Sequence, residues 1–377
     1  MTLYWPNDPQ RIDLTGPRLH ALIIGVGDYP HLKAGAPNAF RKDFELGQLT
    51  TTVLTAKKLA RWFAEEYRNP AVPLGSIELL LSAPEQVQRP DGTNVLIEAA
   101  TTQNIDDAFR NRWLAQRCIP QPDGISLFYF AGHGLSAGGA QYLLPSDFGD
   151  PGLSRWDNCI DFTKTRIGMG YVKATQLFFV DACREPDIDS LMQANPPTGK
   201  RLADDATLFD HPVSEATYYA SAEGAKSYGP KDDITYFASA LLEALEGAGA
   251  RKSSGRLSVD TFSLGNAIGL IMGNIGRGVP VSPTCAPQPS GKASIIHVPA
   301  AMHVRTWIGC RLATEHGRVS MLPNDGQRSV SAAVGDPCPW LGRVEPGDWT
   351  IRVDIDGDPN PRGLKDTLMP PLYEYEA

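Results

Sequence analysis

Two stretches decide how this chain folds: ISLFYFAGHG at residues 125–134 and QLFFVDACR at residues 176–184. Each carries a continuous apolar run of four or five residues, Leu127–Ala131 and Leu177–Val180, and then breaks into glycine or polar residues. A run with no polar alternation buries both faces of a strand, as in a parallel sheet covered by helices. LHALIIGVG at 19–27, SIELLL at 76–81 and ATYYA at 216–220 read the same way. Between them, apolar residues recur at helical spacing: Leu59, Trp62, Phe63 and Tyr67 within 55–67, and Ile105, Ala108, Phe109 and Trp113 within 105–113, where Asn104 is the expected N-cap. FASALLEAL at 237–245 is a further helix. Strands alternating with helices predict an α/β fold, a doubly wound, mostly parallel sheet with right-handed crossovers.

In such sheets ligands bind outside the carboxyl ends of the strands. His133 and Cys183 each stand just past the end of an apolar strand, so the sheet places both on one rim. A thiol is a nucleophile as its thiolate, and a neighbouring imidazole can take its proton and return one to a leaving amine. Gly132 and Gly134 permit sharp turns and close approach to a substrate. The N–H groups of Gly134 and Cys183 form a candidate oxyanion hole, each donor being worth about 3 kcal/mol. Taken singly, a buried cysteine is more often a small core residue and a histidine between glycines a turn residue; the joint placement favours the pair.

The sequence of 377 residues is 42% hydrophobic and 21% charged, ordinary for a globular protein. Its formal net charge of −8 argues against nucleic-acid binding. No run approaches the ~18 apolar residues of a membrane span, and residues 1–17, with Asp8 and Asp13, do not read as a signal peptide. The six cysteines form no CxxC pair, so neither a zinc site nor a disulfide framework is expected, and a cytoplasmic location is. An N-terminal extension (1–18) is expected to precede the α/β domain (19–277). A proline- and serine-rich linker or wrapped crossover (278–291) follows, then a small all-β domain (292–377) of short alternating strands such as DWTIRVDI, with Trp349, Ile351, Val353 and Ile355 on one face. Residues 30–48 and 184–213 read as long loops, which in compact domains are usually functional or mobile.

FYFAGHG followed fifty residues later by FFVDACR resembles the caspase-like cysteine peptidases, the clan of caspases, metacaspases and bacterial orthocaspases. HALIIGVGDY, YLLPSDF, ATYYASAEGAKSYG and FASALLEALEG match other segments of that family, covering roughly residues 19–270. The resemblance implies a sheet of about six strands flanked by helices, His133 as general base and acid, Cys183 as nucleophile, and Gly134 as an oxyanion donor. The chain departs from caspases proper, which carry Gln-Ala-Cys-Arg-Gly at the nucleophile. Asp181, two residues before Cys183, is similar to the acid that lines the first specificity pocket of metacaspases, yet Arg184-Glu185 replaces their His-Ser. Where similar proteins carry an Asp-Ala pair, Thr55-Ala56 stands here, and Asp28 is the candidate substitute or a turn residue.

The implied activity is endoproteolysis after Arg or Lys, since a carboxylate in a dry pocket selects a cation. The competing reading has Asp181 pairing with Arg184 or capping amides. Lys200-Arg201 is a candidate maturation site, for the enzyme itself or an upstream protease, or an ordinary exposed loop. No cofactor is expected; Asp204, Asp205 and Asp210 lack the spacing of a calcium loop. Protein or peptide substrates are the expected partners. Two alternatives share the same residues: a catalytically silent scaffold acting by protein binding, and a Cys–His hydrolase or transferase acting on a non-peptide.

Overall fold

The computed structural model of the chain describes residues 2–35, 46–154, 156–184, 198–203, 214–253, 255–311, 315–324 and 333–377. It divides into two compact units, Met1–Ser239 with Val281–Ile296, and Ala240–Pro280 with His297–Ala377.

The first unit is built on a seven-stranded sheet. Its strands include β1 (Leu3–Trp5), β2 (Leu19–Gly25) and β3 (Leu74–Leu81). A hairpin follows, β4 (Glu85–Gln88) with β5 (Asn94–Ile97). The sheet resumes with β6 (Ile125–Ala131); β7 (Gly134–Ala137), β8 (Ala140–Leu143) and β9 (Ile160–Asp161) then form a small satellite sheet. β10 (Thr175–Asp181), β11 (Ser214–Tyr219) and a last strand, Ala286–Gly291, complete the order β1-β3-β2-β6-β10-β11-(286–291). The five central strands are parallel, and both edge strands are antiparallel. Every residue of β2 and β6 is buried, as expected of strands covered on both faces.

Helix α1 (Thr52–Glu65) buries Thr52, Thr55, Ala56, Leu59, Ala60, Trp62 and Phe63. It lies so close to β2 that a Cβ at Gly25 would fall 2.6 Å from the Cβ of Ala56. Helix α2 (Thr102–Asp107) continues as a π-helix, Ala108–Cys118, whose Ala108, Phe109 and Trp113 are buried. Its cap is Thr101, not Asn104: the Thr101 hydroxyl accepts the Asn104 N–H, while the Asn104 side chain donates to the Ala99 carbonyl. Helix α3 (Phe162–Gly168) contributes Phe162, which packs with Phe128 and Phe178 in an aromatic core. Burying each such ring contributes roughly 2–3 kcal/mol.

Two segments behave differently from their reading. Leu3–Trp5, in the N-terminal extension, pairs with β3 and buries Leu3 and Tyr4. The proline-rich stretch 278–291, expected to link or cross over, supplies at Ala286–Gly291 the strand beside β11.

The second unit contains the helix Thr261–Ile275, opened by a capping box between Asp260 and Ser263, the antiparallel strands Arg251–Ser253 and Arg256–Asp260, and two further sheets. Three strands pair in the order Trp340–Val344, Val304–Gly309, Leu372–Glu376. Four pair in the order Ala333–Pro337, Gly317–Pro323, Gly347–Ile355, Arg362–Leu368. Trp349, Ile351, Val353 and Ile355 point into a shared core with Val304, Ile308, Val319, Met321 and Leu368. No described helix is long and apolar enough to cross a membrane.

Candidate active site

The rim is set by strand register. β6 and β10 run in parallel with Ala131 opposite Asp181, so His133 and Cys183 each lie two residues beyond the same rung. The Gly132 N–H donates to the Asp181 carbonyl, carrying the pairing one step past the strands. Strands of equal length in matched register thus deliver the imidazole and the thiol to one edge at one height.

His133 is held from three sides. Its N–H donates to the Tyr29 hydroxyl at 2.8 Å, and the Tyr29 ring packs against the imidazole with centroids 4.8 Å apart. Its carbonyl accepts the Leu144 N–H. Its Nε2 lies 2.7 Å from the Gly47 carbonyl, a group that can only accept, so Nε2 carries the hydrogen. Nδ1 is then the nitrogen with a free lone pair, the one able to take a proton. Burial lowers the histidine's pKa and so favours the neutral ring, and the bond to Gly47 opposes that shift.

Cys183 is half-buried, and its Sγ accepts the Ser227 N–H at 3.4 Å. The Cys183 carbonyl accepts from Gln141 of β8 at 3.0 Å. Gly134 fits closely beside it: a Cβ there would meet the Cys183 carbonyl at 2.7 Å and the Ala182 Cβ at 2.8 Å. The Leu144-to-His133 bond makes Gly134–Leu143 a non-hydrogen-bonded pair of the β7–β8 ladder, so the Gly134 N–H points away from β8.

Asp181 is 2% exposed, and three hydroxyls donate to it. Ser227 reaches Oδ1 at 2.8 Å, Tyr129 reaches Oδ2 at 2.8 Å, and Thr235 also donates to Oδ2. Burial raises its pKa, and the three hydrogen bonds oppose that. The pairing with Arg184 weighed from sequence is not what forms; the Arg184 guanidinium lies 4.2 Å over the Tyr219 ring. Thr55, in place of the acid found in similar proteins, accepts the Thr235 N–H. Asp28 is exposed at the end of β2, with its N–H on the Ser82 hydroxyl.

Lys200 is half-buried and Arg201 exposed, and their backbone is tied to neighbouring segments. The Lys200 N–H donates to the Cys159 carbonyl and its carbonyl accepts from Asp161, a bridge that extends the satellite sheet. Its Nζ pairs with Asp106 at 2.9 Å, the Arg201 carbonyl accepts from Arg110, and Leu202 and Ala203 are buried. Glu185, Asp204, Asp205 and Asp210 lie outside the described residues, and no cluster of metal-ligating side chains occurs among those described.

Sequence reasoning singled out His133, Cys183, Gly134 and Asp181 but missed Tyr29, Gly47, Ser227 and Thr235. Tyr29 and Ser227 stood inside recognised motifs, GVGDYP and ASAEGAKSYG, yet nothing in those strings indicates what either residue touches.

A parallel α/β sheet with histidine and cysteine beyond adjacent strands is the layout of a caspase-like protein. The family model of the caspase domain, peptidase C14, matches residues 18–261, and the chain belongs to that family. The uncharacterized protein y4kE of Sinorhizobium fredii (strain NBRC 101917 / NGR234) is 32% identical over 211 residues, 54% of this chain and 59% of that protein, so the match spans less than two thirds of this relative. Among solved structures, GSU0716 of Geobacter sulfurreducens superposes with a TM-score of 0.45 at 16% identity, covering 75% of this chain and 98% of its own. Caspase-1 of Spodoptera frugiperda gives 0.43 at 12%, covering 76% and 92%.

Proposed function

We propose that the chain is a cysteine endopeptidase in which Cys183 is the nucleophile and His133 the general base and acid. The observation that carries this reading is the shared rung: the register that pairs Ala131 with Asp181 sets His133 and Cys183 side by side, one with a free Nδ1, the other with an amide on its sulfur. Nδ1 takes the thiol proton and the thiolate adds to the scissile carbonyl. The oxyanion is received by the N–H groups of Gly134 and Cys183. Collapse breaks the C–N bond, the imidazolium gives its proton to the leaving amine, and a thioester remains. Water, deprotonated by the same imidazole, then releases the acid and regenerates the thiol.

The preferred residue at the cleaved position is basic, with Asp181 as the selecting carboxylate. A carboxylate offers about four acceptor positions. Oδ2 already takes two hydroxyls and Oδ1 one, which leaves a single position on Oδ1. A cation therefore gains one charge-assisted bond rather than a bidentate pair, so Lys competes more closely with Arg than an open carboxylate would allow.

A peptidyl-arginine acyloxymethyl ketone and a fluorogenic peptide library test both parts. The reagent is expected to label Cys183 in the wild type and leave Cys183→Ala unlabelled; no labelling under reducing conditions would leave a binding scaffold as the function. Asp181→Asn is expected to lower kcat/KM for basic substrates by about 30-fold, the loss of one bond to a charged group of about 2 kcal/mol. Unchanged selectivity in that variant, or efficient cleavage after Asp, would make Asp181 purely structural.

A further inference from the structure

The second unit brings together two cysteines that the proposed mechanism does not use. Strand Val304–Gly309 runs antiparallel to Trp340–Val344 with Ile308 opposite Trp340, and two more residues along each chain set Cys310 opposite Cys338. Their Sγ atoms are 2.8 Å apart, inside the contact distance of two unbonded sulfurs. Both segments are braced: the Cys338 N–H donates to the Gly317 carbonyl and the Arg311 N–H to the Ala377 carbonyl. Cys338 is buried and Cys310 half-exposed. A cavity of about 260 Å³, lined by His316, Gly317, Arg318, Pro337, Cys338 and Asp356, reaches the pair on the Cys338 side.

We propose that Cys310 and Cys338 form a redox-active dithiol that closes to a disulfide on reaction with a low-molecular-weight disulfide. Cys310, the more accessible thiol, gives up its proton and attacks one sulfur of the small disulfide. One small thiolate leaves and a mixed disulfide remains on Cys310. Cys338 then gives up its proton and attacks the Cys310 sulfur, expelling the second small thiolate. The two thiolates take up the two protons, so the two-electron oxidation of the cysteines is matched by reduction of the reagent. Burial, together with the neighbouring Cys310, pushes the Cys338 thiol up to about 12, which assigns the first attack to Cys310. Cys338 reacts second, where its fixed position offsets its low thiolate fraction.

The test uses the full chain, reduced and then equilibrated with glutathione disulfide. Peptide mapping without reductant should reveal one linked pair containing Cys310 and Cys338, lighter by two hydrogens, which dithiothreitol removes. Closing a loop of this length should raise the melting temperature by roughly 10 °C. The shift should be absent in Cys310→Ser. If both cysteines still alkylate fully after equilibration, or the linked peptide joins other cysteines, the proposal is overturned. Should Cys310→Ser fail to fold, the wild-type map decides alone.

Discussion

Replacing Tyr29 by Phe removes one oxygen atom and tests how the histidine is held. That hydroxyl accepts the His133 N–H at 2.8 Å and donates to the Leu144 carbonyl at 3.1 Å, and the residue is fully buried. Phe fills the same space, so no sizeable cavity opens. Two backbone groups lose their partner in a site closed to water. Each orphaned group costs about 1–3 kcal/mol, and partial relaxation puts the expected loss of stability at about 2–4 kcal/mol. The kinetic effect is separate. Gly47 still holds Nε2, but the backbone of His133 loses its anchor, and displacement of a base by a fraction of an ångström is expected to lower kcat by roughly 10–100-fold. KM stays near wild type, because Tyr29 is a positioning residue that acts through His133. Urea denaturation and steady-state kinetics on a basic fluorogenic peptide measure both. A variant with both stability and kcat within two-fold of wild type would refute the reasoning; a stability loss without a kinetic one would confine Tyr29 to folding. The motif's first glycine belongs to the same arrangement, since a Cβ at Gly132 would sit 2.8 Å from the Tyr29 hydroxyl.

Two further predictions concern groups away from the thiol. His20, buried beside Ser76, has its pKa drawn down to about 4, first by burial and then by Arg117. The unfolded chain binds a proton there below about 6.5 while the folded chain does not, so the stability is complete above that pH and lost as pH falls toward 4, about 3 kcal/mol in all; a flat urea midpoint across that range, or an unchanged slope in His20→Gln, would show otherwise. We also predict that cleavage at Lys200 or Arg201 activates the enzyme only after this segment leaves its pairing with Cys159 and Asp161. Native protein should then be cut slowly, sub-denaturing urea should speed cutting, and Lys200→Ala/Arg201→Ala should stay intact with low activity; full activity in the intact variant would end the maturation reading.

The five parallel strands were legible because burial on both faces leaves mostly apolar residues. The edges were not, because an edge strand answers to weaker rules. Ala286–Gly291 reads APQPSG, which suggests a linker, yet Pro287 and Pro289 stand two apart. In an antiparallel strand, residues two apart turn their N–H positions to the same side. With the chain paired to β11, the missing donors can therefore both face away from the ladder. Leu3–Trp5 is too short for any periodicity to show. Asn104 and Thr101 are both good caps, and only the hydrogen bonds decide between them.

The candidate site divides in the same way between what side chains announce and what the backbone supplies. A histidine and a cysteine after apolar runs are visible because their chemistry resides in residue types. Gly47 contributes a carbonyl that any residue carries, and Ser227 contributes an N–H, so neither leaves a mark in sequence. Ser227 also explains why Asp181 resisted a single reading. Asp181 and Cys183 stand two residues apart, which on an extended strand end turns both side chains to one side, and what joins them is one residue: the Ser227 N–H lies on the sulfur and its hydroxyl on the carboxylate. A buried carboxylate that takes the Ser227 hydroxyl, whose residue also bonds the Cys183 sulfur, has a structural role whatever it selects. The proposed selection of a cation uses the same carboxylate, and comparing substrate selectivity with stability in Asp181→Asn separates the two roles.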